Sequence, residues 1–196
     1  MAYQQKGSHM NVHDRPALII IDVQRGFDDD SFWGPRDNPE CENNVGKILD
    51  TWRSRSWPVV FVRHDSTNPR STLAVGTPGN EFKEVITGEP DLLVSKTVNS
   101  SFHGTPDLHS WLQSEEIEQV VICGITTNHC CETTARLAGN LGYDTFFVID
   151  ATHTFDRTAL NGSTVPAATI SAMTATNLHE EFATVITTQT LTGTAA

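Results

Sequence analysis

Long apolar runs are missing from this 196-residue sequence. No stretch approaches the roughly 20 residues that span a bilayer, and no secretory leader is visible. The expected setting is therefore the cytoplasm, with no membrane partner. Cysteine is scarce: Cys41, Cys123, Cys130 and Cys131 form no CxxC pair. Four thiols without such spacing exclude a secreted disulfide scaffold and point to reduced cysteines. Basic residues are few as well, 13 Lys and Arg against 24 Asp and Glu, for a formal net charge of −11. That excess of acid disfavours a broad phosphate-binding face, so nucleic acid is not the expected partner. A small molecule needs only one suitable pocket and remains the expected ligand. Internal repeats and linkers are also absent, and a chain of this length buries a core without structural metal.

The first ten residues, MAYQQKGSHM, read as an expression-tag remnant ending in the scar Gly7-Ser8-His9-Met10. Residues 11–188 read as a single domain. The Thr-rich end, 189–196, reads as a flexible tail.

What is present is a regular succession of short apolar runs, each followed by a helical pattern. Ala17–Val23, Val59–Arg63, Leu92–Val94, Gln119–Cys123, Thr145–Ile149 and Ala183–Ile186 read as strands. Most lack polar alternation, as strands covered on both faces do. Helical patterns fall at Glu40–Ser54, Pro106–Ser114, His129–Leu141 and Pro166–Thr176. Alternating β and α over the whole length predicts an α/β fold with an open, mainly parallel sheet between two layers of helices. Two long irregular stretches, Gly26–Pro39 and Asp65–Asp91, leave the carboxyl ends of the first and second strands. Open α/β sheets bind ligands at that edge.

Three residues that carry chemistry fall on the same edge. Cys130 follows the strand Gln119–Cys123 and opens a helical pattern. Unpaired N–H groups at a helix start favour a thiolate and can hold an oxyanion. The bland alternative is a buried packing thiol. Periodicity does not choose between the two neighbours, because Cys131 shares a stripe with Ala135 and Ala138, and Cys130 one with Thr134 and Leu137. Asp22 ends the first apolar run, as a turn former or a functional acid. Lys96 ends the third strand. Parallel strands bring acid, cation and thiol together. Other chemistries lack their signatures: no DxH directly follows the second strand, the HxxxH spacing of His9 and His13 begins in the tag remnant, and no GxSxG elbow occurs, so neither a metal nor another cofactor is expected.

Taken together, ALIIIDVQRGF (17–27), VVFVRHDS (59–66), KTVNSSFHGTPDL (96–108), VVICGITTNHCCETTARLAGNLGYD (120–144) and VIDATHTF (148–155) resemble the isochorismatase-like cysteine hydrolase superfamily. The resemblance implies a three-layer Rossmann-like fold with a six-stranded sheet of order 3-2-1-4-5-6. It implies a triad of Asp22, Lys96 and Cys130, with Cys131 in the place of a packing valine. It also implies a cis peptide between Ile125 and Thr126, and an oxyanion hole from the N–H groups of Thr126 and Cys130. Family members are commonly homodimers or homotetramers, and the same is expected here.

Two departures narrow the expectation. Relatives that cleave the vinyl ether of isochorismate generally lack the nucleophilic cysteine, which Cys130 supplies. Nicotinamidases of the family usually carry an Asp-x-His metal motif after the second strand, where this chain reads RHDSTNPRST. What remains is a metal-free hydrolase of a small amide, lactam or carbamoyl C–N bond. Candidate pocket walls are Phe27, Trp33, Phe102 and Phe155, with His64 and His103 as polar handles. The rival reading is a noncatalytic binder or a redox-responsive thiol protein of the same fold.

Overall fold

The computed structural model describes residues 15–193. The proposed tag remnant, 1–10, lies outside the described residues. In chain order the strands are β1 (Ala17–Ile21), β2 (Val59–His64), β3 (Leu92–Lys96), β4 (Gln119–Ile125), β5 (Asp144–His153), β6 (Arg157–Thr158), β7 (Thr164–Val165) and β8 (Thr184–Ile186). The helices are α1 (Asp30–Trp33), α2 (Cys41–Ser54), α3 (Leu108–Ser114), α4 (Glu132–Asn140), α5 (Ala167–Leu178) and α6 (Thr188–Thr192).

Six strands form one sheet of order β3-β2-β1-β4-β5-β8, and each neighbouring pair is parallel. The topology is the one expected. The final strand carries the label β8 only because β6 and β7 form a small antiparallel hairpin ahead of it.

Alternation along β1 explains the layers. Leu18 and Ile20 point into one apolar cluster, where they meet Val45, Ile48, Leu49 and Trp52 of α2. Ala17, Ile19 and Ile21 point into the other, with Leu108 and Leu112 of α3, Ala135 and Ala138 of α4, and Leu178 of α5. Successive residues of a strand face opposite sides, so a strand buried on both must be apolar throughout. That is why the runs show no polar alternation.

The end of the chain differs from the expectation. The first residues of the stretch read as a tail belong to α6, whose Leu191 is 2% exposed and sits in the α2-side cluster. Asp150 Oδ1 accepts from the Thr188 N–H at 2.7 Å and from its hydroxyl at 2.9 Å. One leucine and one carboxylate are enough to dock this short helix.

The helix expected from His129 also begins later. Thr127–Cys131 form a wider π-type turn, and α4 starts at Glu132. Such turns insert an extra residue per hydrogen-bonded loop and recur at functional sites.

Candidate active site

The strand order reverses direction between β1 and β4, the place where open α/β sheets form a ligand crevice. Asp22 leaves β1 there with a left-handed φ of 51°, its N–H bonded to the Val62 carbonyl at 2.9 Å. Beside it, β4 approaches so closely that a Cβ on Gly124 would collide with the Ile21 carbonyl oxygen, and Gly124 itself has φ 122°. Only glycine fits both constraints. Cys130 follows from the end of β4. On the other side, register pairs His64 of β2 with Lys96 of β3, so both side chains stand at the same edge.

These elements bring the charged groups into contact. Lys96 Nζ lies 2.6 Å from Asp22 Oδ2, 3.3 Å from His64 Nδ1 and 3.4 Å from Cys130 Sγ. An ammonium has three protons and no lone pair, so each contact is a donation from lysine. The imidazole must therefore be neutral at Nδ1. Burial lowers the His64 pKa, and the Lys96 charge lowers it further. Burial alone would depress Lys96 too, but the opposing charge of Asp22, with the hydrogen bonds to Asp22 and Cys130, outweighs it and raises the value. Asp22 Oδ1 is buried without a hydrogen-bond partner.

The thiol departs from the expectation drawn from its position. Burial pushes the Cys130 pKa up, the Asp22 charge pushes in the same direction, and Lys96 only partly offsets them. Cys130 is 7% exposed. Its resting form is the protonated thiol, 3.6 Å from Asn99 Oδ1. Cys131 is fully buried in the α4-side cluster with Ala135 and Ala138.

Above this group lies a cavity of about 150 Å³, lined by Asp22, Phe27, Trp33, His64, Ser71, Leu73, Asn99, Thr126, His129 and Cys130. A space of that size accommodates a ligand on the scale of one small ring. The Ile125–Thr126 peptide bond beneath it is cis.

Its far wall is built where the two long loops cross. Gly26 and Gly79 both approach the Thr72 carbonyl too closely for any side chain. The Trp33 indole N–H donates to the Gly26 carbonyl at 2.8 Å and to Thr72 Oγ1 at 3.1 Å, which pins it over Phe27. Gln24 ties the crossing to the sheet through the carbonyls of His64 and Asn80.

Three of the six expected wall residues, Phe27, Trp33 and His64, line the cavity. The other three do not. Phe155 stands one layer back, stacked on Trp33 with ring centroids 5.3 Å apart. Phe102 is turned into the core against Tyr143, at 5.9 Å. His103 ends the same short 3-10 turn and is exposed. The turn Ser101–His103 is what removes both: it aims Phe102 inward and carries His103 away.

The sequence reading missed Ser71, Leu73, Asn99 and His129. Asn99 and His129 carried a signal, since one lies three residues after Lys96 and the other immediately precedes Cys130.

The donors Asp22, His64 and Cys130 place one ligand atom each within 4.8 Å of one another, a spacing that suits a divalent cation. In this arrangement a cation already stands among them, since Lys96 Nζ contacts all three.

The family model for the isochorismatase domain matches residues 16–190. The chain is 43% identical over 181 residues to the isochorismatase family protein YrdC of Bacillus subtilis, covering 92% of this chain and 96% of that one. It is 35% identical over 154 residues to Nicotinamidase 3 of Arabidopsis thaliana, covering 71% and 74%. Among solved structures, an isochorismatase-family protein from Chromobacterium violaceum superposes with a TM-score of 0.88 at 35% identity, covering 93% and 94%. A domain match over nearly all described residues, joined to the strand order and the cluster at its edge, establishes that the chain belongs to the isochorismatase family.

Proposed function

We propose that the protein is a cysteine hydrolase that cleaves a C–N bond of a small amide, lactam or carbamoyl compound through a Cys130 thioester. The observation that carries this reading is the reach of Lys96 Nζ to Asp22 at 2.6 Å and to Cys130 Sγ at 3.4 Å, at the floor of a cavity. A relative named as a nicotinamidase supports the amide class.

In the proposed reaction Asp22 accepts the Cys130 proton, and Lys96 compensates the negative charge that moves from carboxylate to sulfur. A buried carboxylate oxygen without a partner is ready to take that proton. Sulfur attacks the substrate carbonyl carbon, and the N–H groups of Thr126 and Cys130 hold the oxyanion. Asp22 returns the proton to the departing nitrogen, leaving an acyl thioester. Water, deprotonated by Asp22, then cleaves the C–S bond, and the thiol is restored with release of a carboxylic acid.

A raised thiol pKa fits this order, because proton loss is coupled to attack rather than complete beforehand. It disfavours the redox-sensor alternative, which requires an accessible thiolate at rest.

The test is a hydrolysis screen of primary amides, cyclic amides and ureido compounds with the protein and its Cys130→Ala variant. Turnover that Cys130→Ala abolishes is the expected result. Equal turnover by both proteins would overturn the assignment.

A further inference from the structure

Arg157 is one of several described cations without a carboxylate partner, and its side chain contacts His129 of the cavity lining. Arg36 and Lys83 pair with Glu42, Arg63 with Asp65, Lys96 with Asp22 and Arg136 with Glu132. Arg157, at the start of β6, has no carboxylate partner among the described residues. Its Nε is buried and makes no hydrogen bond, and its one polar contact runs from Nη2 to His129 Nδ1 at 3.4 Å. The neighbouring acid, Asp156, is engaged elsewhere, accepting from the Ala167 N–H at 2.8 Å.

An unsatisfied buried N–H is costly, and a guanidinium fork is completed best by a planar carboxylate that takes two parallel bonds. The location gives that vacancy a use. His129 lines the cavity, is exposed and directly precedes Cys130, so it forms the rim. Because its Nδ1 accepts from arginine, its proton sits on Nε2, a second donor on the same rim. Burial and the Arg157 charge both lower the His129 pKa, in keeping with a neutral ring.

We propose that Arg157, with His129 Nε2–H, binds the carboxylate of an anionic substrate: a small amide whose scissile C–N bond reaches Cys130 while its acid end stays at the rim. The assignment rests on the hydrolase reading for the word substrate, but the binding site itself does not.

The test is therefore made by binding. Succinamate and succinamide differ only in a carboxylate against a second carboxamide. Their affinities for the Cys130→Ala protein, measured by calorimetry, should differ about ten-fold or more in favour of succinamate, the scale of one charge-assisted contact. Arg157→Gln should remove the preference and Arg157→Lys should restore part of it. Equal affinity of the Cys130→Ala protein for the two probes, or binding of neither, overturns the proposal without any need for the Arg157 variants to fold. A carboxylate preference without turnover by the unmodified protein would instead sink the hydrolase reading and leave this site standing.

Discussion

Lys96 Nζ donates to Asp22 Oδ2 at 2.6 Å, and neither side chain has any solvent exposure. The pair links β3 to the end of β1 across the intervening β2. Fully buried ions are stable only together, since removing one leaves the other uncompensated in a poorly polarisable interior.

The pair separates folding from chemistry. Asp22→Asn should lower stability by about 3–5 kcal/mol, because the Lys96 charge loses its partner. It should also lower turnover by about 10²–10⁴, because an amide cannot shuttle the proton. Adding Lys96→Met should recover stability in urea melts but not turnover. Wild-type turnover by folded Asp22→Asn would reduce Asp22 to a strand-end turn residue.

Iodoacetamide should label Cys130 ahead of Cys41, Cys123 and Cys131, all of which have zero exposure. Because burial holds the Cys130 thiol protonated, the rate should climb roughly ten-fold per pH unit between about pH 7 and 9, following the thiolate fraction. Peptide mapping that finds Cys131 modified first would reverse the roles of the two neighbours. A rate already level by about pH 8 would contradict the raised thiol pKa.

Activity should survive prolonged dialysis against EDTA. Asp22, His64 and Cys130 are engaged by the Lys96 ammonium in the arrangement described. A strict requirement for added zinc or iron would show that a metal ion displaces lysine from that set.

A second buried charge cluster governs acid stability. His153 is fully buried with neither ring nitrogen hydrogen-bonded, its Nε2 standing 3.8 Å from Glu42 Oε1, and burial, aided by the nearby Arg36 charge, lowers its pKa from 6.5 to about 4. Between those values the unfolded chain binds a proton that the folded protein refuses. Stability should therefore fall as pH drops from 6.5 to about 4, by about 3 kcal/mol in all. Burial would raise Glu42, yet hydrogen bonds from Arg36 and Lys83 hold it at about 2, against an ordinary 4.5. Its contribution is present above pH 4.5 and is lost as pH falls toward 2, so the second loss follows the first. Denaturant melts across this range should show both, and His153→Leu should flatten the part above pH 4.5. An unchanged slope in that variant would remove His153 from the account.

Much of this was legible in the sequence because the two periods are so different. Uninterrupted apolar runs gave the buried strands, and the residues just past them, Asp22 and Lys96, had to lie on one edge. Cys130 joined them by following β4. Side-chain direction in the loops was not legible. Phe102 and Phe155 resemble Phe27 in sequence, but the turn at Ser101 and the extension of β5 to His153 decide which ring meets the cavity. Ser71 and Leu73 lie in the middle of an irregular stretch with no period to place them. Leu191 was masked by its threonine neighbours, although a lone leucine after the last strand is the kind of anchor a short helix uses. The thiol's raised pKa was hidden for another reason: position near a helix start is local, whereas desolvation depends on everything packed around the sulfur.

The crossing of the two long loops has an evolutionary consequence. Thr72, Gly26 and Gly79 hold one another at backbone contact, and Trp33 is hung from two of them. Selection for a new ligand shape cannot move one loop without the other. Libraries that randomise 26–39 alone should return few folded members, whereas joint libraries with 71–80 should yield pairs of substitutions that are each harmful singly. Divergence among relatives at these two segments should accordingly be correlated, with the pocket wall changing in matched steps.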